Sequence, residues 1–413
     1  MSAIVRVRSL LPRLLAVALT ATLGLTATAA ALSAAMARVA PDQATVLYPG
    51  NASALNRRAA LRVAMASSGT GSTATTKISA EDRTAVRELA YRSLTSTLLN
   101  PVALRLMGLA VSPTLEGSRA RPWMEAASSI SRRDSASHMW LALDMARRGD
   151  AIQTINHVDY AMRSSFSTAE TLTPVLVTGL DDPTMRRRIP ELVRAKVFWT
   201  GRFLEDATYK SKRPDIVADI VVASGGFPDK AAENERVLLG RLIAEGYYDE
   251  ALSFGRFMNK EALRIARGVD IADAAIEKPV GQIGWQINPS VTSMMLADDR
   301  QPAFLVQIDR DRTSVVASKL LYSPRSSMRL TGSAQFAERA PSDAFRVEVG
   351  CPTANGTPFR AVGQPIRAVT ADPQKWAVDF STDCDPVAIR FVATSDLGGA
   401  GNELVLTKLA LGR

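Results

Sequence analysis

The chain has 413 residues, with Lys+Arg 50 against Asp+Glu 41 and a formal net charge of +9. Hydrophobic residues make up 46% and charged residues 22%, which excludes a wholly disordered chain and a polytopic membrane protein. Two cysteines and two histidines leave no material for a disulfide-rich scaffold, a cysteine-only zinc site or histidine-based metal chemistry.

Arg6, Arg8 and Arg13 precede an uncharged run from Leu14 to Met36. A basic flank followed by an apolar stretch predicts either a signal anchor or an export signal, with the arginines left in the cytoplasm. The run is 23 residues, enough to span a bilayer. Its strongly apolar part ends at Leu25, however, and Ala27-Thr28-Ala29 and Ala35-Met36-Ala37 both offer small-x-small cleavage sites. Residues 1–38 therefore form a signal anchor or signal peptide. The rest is expected outside the cytoplasm, anchored to the inner membrane and facing the periplasm, or free in the periplasm after cleavage.

Residues 39–278 read as helical. A Gly/Ser/Thr-rich stretch at 67–77 interrupts them as a flexible loop. From Ser79, a plausible N-cap, Val86, Leu89, Ala90, Ser93 and Leu94 mark one buried helix face. Asn100-Pro101 closes that helix and opens the next. Trp140 to Ile152 and Leu238 to Leu252 share one pattern, in which a helix stops at Gly149 or Gly246 and a second begins with a small residue and an aliphatic. The paired segments, with the turns Tyr48-Pro49-Gly50-Asn51-Ala52 and Asn100-Pro101-Val102-Ala103, resemble the tetratricopeptide helical hairpin. That resemblance implies an irregular helical-repeat array with a protein-binding surface.

Near Lys278-Pro279 the period changes from helical to two. The alternating runs are Ile283/Trp285/Ile287, Phe304/Val306/Ile308, Phe345/Val347/Val349, Trp376/Val378/Phe380, Ile389/Phe391/Ala393 and Leu404 to Leu411. They predict an antiparallel β-sandwich over 279–413, with about eight strands in a jelly-roll arrangement. The layout and the closing Asn402-Glu403-Leu404-Val405-Leu406 strand resemble carbohydrate-binding modules. The whole organisation resembles uncharacterised membrane-anchored proteins of bacterial envelopes, some associated with surface polysaccharide. Trp285 and Trp376 share strand faces with aliphatics and are expected in the core.

Cys351 and Cys384 lie 33 residues apart and, in an oxidising compartment, are expected to form a disulfide stabilising by about 3–4 kcal/mol. Both follow strands, at the same end of the sandwich if those two strands are antiparallel neighbours, and the bond would tie the Pro-rich segment 352–374 onto the sheet. Other candidate chemistry is thin. On a helix His157 faces Tyr160 but not Asp159, and His138 is read as a packing or surface residue. Asp298-Asp299, Asp309 and Asp311 are turn acids, read as solvated in preference to a calcium site. Arg132-Arg133, Arg147-Arg148 and Arg186-Arg187-Arg188 form a solvated face or attract anionic lipid or acidic polysaccharide. Export removes nucleic acid as a partner.

The expected function is a non-catalytic scaffold or interaction protein of the cell envelope, with no catalytic, cofactor-binding or metal residues, a protein partner and a tie to surface-polysaccharide production. The alternative is a polysaccharide-binding protein that uses its C-terminal sandwich.

Overall fold

The computed structural model describes residues 2–68, 78–111, 119–228, 232–275, 280–296, 302–307, 313–322, 327–336, 344–353, 357–366, 373–394 and 403–412. The loop expected at 67–77, the change of period at 278–279 and the acids Asp298, Asp299, Asp309 and Asp311 thus fall wholly or largely outside the described residues. The chain forms two compact units, Met1–Arg188 and Ile189–Arg413.

The first unit is helical: α1 (Ser2–Met36), α2 (Pro41–Leu47), α3 (Ala52–Ser68), α4 (Ala80–Ser96), α5 (Pro101–Val111), α6 (Arg121–Ile130), α7 (Ser135–Arg147), α8 (Ala151–Ser164) and α9 (Phe166–Thr178). Ser79 caps α4 by accepting from Asp82 N at 3.0 Å. Val86, Leu89 and Ala90 of α4 pack with Leu55 and Ala59 of α3 and Leu106 and Met107 of α5. Where α3, α4 and α5 meet, Asn100 is buried and makes three hydrogen bonds. It accepts from Asn56 Nδ2 and from Ala103 N, each at 3.1 Å, and donates to Ser93 Oγ at 3.0 Å. A polar side chain is affordable in this core because its partners are already in place.

Helix α10 (Pro183–Arg194) carries the division between the units. The second unit then adds α11 (Thr200–Lys210), α12 (Pro214–Ser224), α13 (Ala232–Ala244), α14 (Tyr248–Met258) and α15 (Ala262–Arg267). The α7–α8 and α13–α14 connections close identically. Gly149 (φ 75°) and Gly246 (φ 86°) are left-handed, and the next residue's N–H returns to the carbonyl of Met145 or Leu242. Any side chain at these two positions would meet backbone strain.

The strands are β1 (Gln286–Ile287), β2 (Thr292–Leu296), β3 (Pro302–Gln307), β4 (Thr313–Leu321), β5 (Ser327–Phe336), β6 (Ala344–Gly350), β7 (Phe359–Ile366), β8 (Gln374–Ser381), β9 (Val387–Thr394) and β10 (Glu403–Gly412). They form two five-stranded antiparallel sheets, ordered β1-β4-β9-β6-β7 and β2-β3-β10-β5-β8. Strands β3 to β10 interleave between the sheets in jelly-roll order, and β1 and β2 extend one edge of each. The inward faces enclose an aromatic cluster. Phe391 lies 5.1 Å from Trp285, 5.4 Å from Phe345 and 6.4 Å from Trp376, centroid to centroid.

Three sequence expectations need correction. The Ile283–Ile287 run is not one strand, because Gly281–Ile283 is a 3-10 turn and pairing starts only at Gln286. Gly281, at φ 54°, sets that turn. The Pro-rich segment 352–374, in which no strand was expected, contains β7 at the edge of the first sheet. Finally, β6 and β8 are not neighbours and lie in opposite sheets. Cys351 and Cys384 are bonded, with Cα atoms 5.7 Å apart. The bond therefore holds the β8–β9 crossover to the end of β6, spanning the two sheets.

The helices of the second unit join its sandwich through Lys319, a β4 residue only 2% exposed. Its Nζ donates to the carbonyls of Ile265 (2.7 Å) and Gly268 (2.6 Å), at the C-terminal end of α15. It also lies 5.3 Å from the centre of the Trp285 ring. A cation over an indole and against helix-end carbonyls is favourable on both counts. Burial pushes its pKa down to about 8, partly offset by Asp273. Beside it, Tyr322 N donates to Ala266 O at 2.9 Å and Trp285 Nε1 donates to Asp270 O at 3.0 Å.

Replacing Lys319 with Met removes the donor from two carbonyls and is expected to cost about 2–4 kcal/mol in urea unfolding followed by tryptophan fluorescence. Replacing both cysteines by Ser is expected to cost about 3.5 kcal/mol from the 33-residue separation alone, read as a lower thermal midpoint.

Candidate functional site

The outward face of the second sheet carries an open groove of about 470 Å³. Its residues come from three strands that the register brings side by side. On β5, Met328, Leu330 and Ala334 point into the core, which turns Arg329, Thr331 and Ser333 outward. On β8, Lys375 stands opposite Ser333 and Ala377 opposite Thr331. On the other side β10 follows β5 until a bulge between Thr407 and Ala410. Lys408 sits in that bulge with φ 54°, a left-handed backbone uncommon for a residue with a side chain. Pro373 lines one end.

The lining therefore carries three cations, Arg329, Lys375 and Lys408, and two hydroxyls. Arg329 pairs with Asp379 at 3.8 Å, an acid that is itself 70% exposed. Among the described residues neither lysine has a carboxylate partner. Beneath the groove lies Trp376, 7% exposed and part of the core. A Cβ on Gly332 would fall 2.5 Å from its Cζ2, so only glycine lets the ring rise this close under the sheet. The site offers charge and hydrogen-bond donors, with an indole edge as its floor. Such a lining suits an extended anionic ligand.

The outward face of the first sheet holds a different network. Glu348, 6% exposed, accepts from Arg346 Nε (2.7 Å) and Arg390 Nε (2.6 Å), and Arg390 stacks 3.8 Å over the Phe359 ring. Burial raises the Glu348 pKa, but the two guanidiniums outweigh it and the net shift is downward. These charges satisfy one another.

Both histidines meet in the α7–α8 hairpin. His138 Nδ1 lies 3.0 Å from His157 Nδ1, and the Tyr160 ring is 5.0 Å from that of His138. Asp159 instead pairs with Arg163 at 2.9 Å. Sequence reading placed His157 over Tyr160 but missed His138 as its partner, since 19 residues and a hairpin separate them. Burial and the neighbouring His157 lower the His138 pKa to about 4, against a raising effect from Asp134. The pKa of His157 is also lowered by burial, against Asp150. Among the described residues no group of three His, Cys, Asp or Glu could hold a metal ion.

No family model matches the sequence, and no curated protein matches it. Several solved structures are similar to parts of the chain. One is the CBM22-1 xylan-binding domain from Paenibacillus barcinonensis Xyn10C, at 11% identity and TM-score 0.27, covering 35% of this chain and 94% of that one. A family 16 carbohydrate binding module is 14% identical with TM-score 0.23, covering 32% and 91%. A structure described as CBM4 is 12% identical with TM-score 0.21, covering 31% and 86%.

Because both histidines fold with depressed pKa values, the folded state binds fewer protons than the unfolded chain below pH 6.5. Their contribution is complete above that pH and declines as pH falls towards 4. Urea titrations of the full chain between pH 7 and pH 4 are expected to show a falling midpoint, and a His138→Gln, His157→Gln double variant a flatter dependence.

Proposed function

We propose that this is a membrane-tethered, extracytoplasmic binding protein whose sandwich takes an acidic polysaccharide on its second sheet. The observation that carries the reading is the convergence of Arg329, Lys375 and Lys408 on one open groove in which, among the described residues, neither lysine has a carboxylate partner and the Asp379 partner of Arg329 is itself 70% exposed. Carboxylated or sulfated sugars present negative charge along an extended chain, and such a groove attracts them through many weak, salt-sensitive contacts. Its donors and hydroxyls are those of a binding surface, and we assign the protein no catalytic step. The helical unit serves in this reading as the contact for a protein partner in the cell envelope, the use to which helical arrays lend themselves.

The tether is α1. Its Ala18–Met36 stretch is long and apolar enough to cross a membrane, and Leu19, Leu23 and Leu25 are 60–72% exposed. Arg6, Arg8 and Arg13 orient it with its start in the cytoplasm. Retention is favoured over cleavage after Ala37 because the last turns of α1 are built into the fold. Ser33 Oγ donates to Ala44 O at 2.6 Å and accepts from Asn51 Nδ2 at 2.7 Å, while Ala37 packs with Ala44 and Ala54. Cleavage after Ala37 would cut Ser33 and Ala37 away from these partners, whereas cleavage after Ala29 would leave both in place.

Affinity electrophoresis of the detergent-solubilised full chain tests the groove. A polyuronate in the gel is expected to retard it, and a neutral glucan to leave it unaffected. Lys375→Glu together with Lys408→Glu should weaken retardation about tenfold. Equal retardation by both polymers, or an unchanged double variant, would refute the assignment.

A further inference from the structure

The helical unit exposes apolar side chains at one end, and the contacts of α1 show which way that end faces. Ser33 of α1 is bonded to Asn51, just before α3. One turn further along α1, Ala37 packs with Ala54, one turn into α3. The two helices therefore run in the same direction here, and the upstream turns of α1 continue past the start of α3. Helix α2 runs back along α1, with Ala44 level with Ser33, so Val46, Leu47 and Tyr48 lie towards those upstream turns.

The end of α4 reaches the same place. Ser93 Oγ donates to Ala52 O at 3.3 Å, and Arg92 Nη2 lies 3.5 Å from Pro49 O. A Cβ on Gly50 would sit 3.5 Å from both Ser96 Oγ and the Tyr48 ring. Two residues beyond Ser96 come Leu98 and Leu99, 80% and 74% exposed, with Val46 at 81% and Tyr48 at 42%. Four apolar or amphipathic side chains thus surround the point where α1 leaves the folded unit.

We propose that this end is a lipid-docking surface, in which Val46, Tyr48, Leu98 and Leu99 enter the headgroup region of the bilayer that α1 crosses. The proposal rests on the reading of α1 as an uncleaved anchor. Exposed leucines in water at this density are costly, whereas the interface accepts them. Tyrosine favours that depth, with its ring in the apolar region and its hydroxyl in water. Arg92 supplies a cation at the level of lipid phosphates. A bare apolar helix emerging beside them marks the occupant as lipid, since the span of α1 brings a membrane to this end and to no other end of the unit. The consequence is a helical unit held at a fixed tilt and height, with two contacts in addition to the anchor.

The test uses the full chain, whose own cysteines are paired, reconstituted in vesicles of phosphatidylcholine and phosphatidylglycerol. An environment-sensitive fluorophore is attached at Leu98→Cys, at Leu25→Cys in the anchor, or at Thr84→Cys. Thr84 lies on α4 about 18 Å from Ser96 at 1.5 Å per residue. Flotation with vesicles, with about twofold quenching by nitroxide lipids at 98 and 25 and none at 84, is the expected result. Flotation with quenching at 25 alone would overturn the docking surface and leave the anchor standing. Failure to float would overturn both. A blue shift at 98 without lipid quenching would mean that protein covers the patch, and would overturn the proposal.

Discussion

The buried ammonium of Lys319 is the constraint on which the second unit turns. An unpaired charge at that depth would be prohibitive, so its neighbours must stay where they are. The carbonyls of Ile265 and Gly268 have to face it, α15 has to end there, and Trp285 has to lie beneath it. Trp285 in turn stacks on Phe391, the centre of the aromatic cluster between the sheets. One cation therefore couples the last helix, the first strands and the sandwich core. Arg264 strengthens the join by reaching Asp273 at 2.8 Å, whose side chain is only 2% exposed.

Much of this was legible in the sequence. Helix α4 declared itself through Val86, Leu89, Ala90 and Ser93, all buried, and β6 and β8 through strict alternation of inward residues. Strand β4 did not, for a physical reason. It is buried on both faces over its second half and carries a bulge between Val315 and Ala317, so period two is lost. Strand β7 hid behind Gly363 and Pro365, which carry no period-two signal and sit on an edge strand, where proline is tolerated. The sandwich pattern gave the number of layers, but the sheet assignment of β6 and β8 needed the jelly-roll crossover.

The groove was not legible at all. Arg329, Lys375 and Lys408 are separated by dozens of residues and belong to three strands whose neighbours cannot be read from alternation. Their convergence depends on register and on one bulge. The same holds for His138 and His157, whose meeting depends on how α7 and α8 lie together. Pattern reading recovers which side of an element is buried, whereas the pairing of exposed groups is a property of the assembled fold.

Pro365 in β7 has a consequence beyond its own strand. Proteins confined to a surface meet one another far more often than in solution, and an unpaired strand edge is then an invitation to polymerise. Pro365 lies in β7, at the outer edge of the first sheet, and has no backbone N–H to donate. A proline on that edge makes it a poorer template for the strand of another copy.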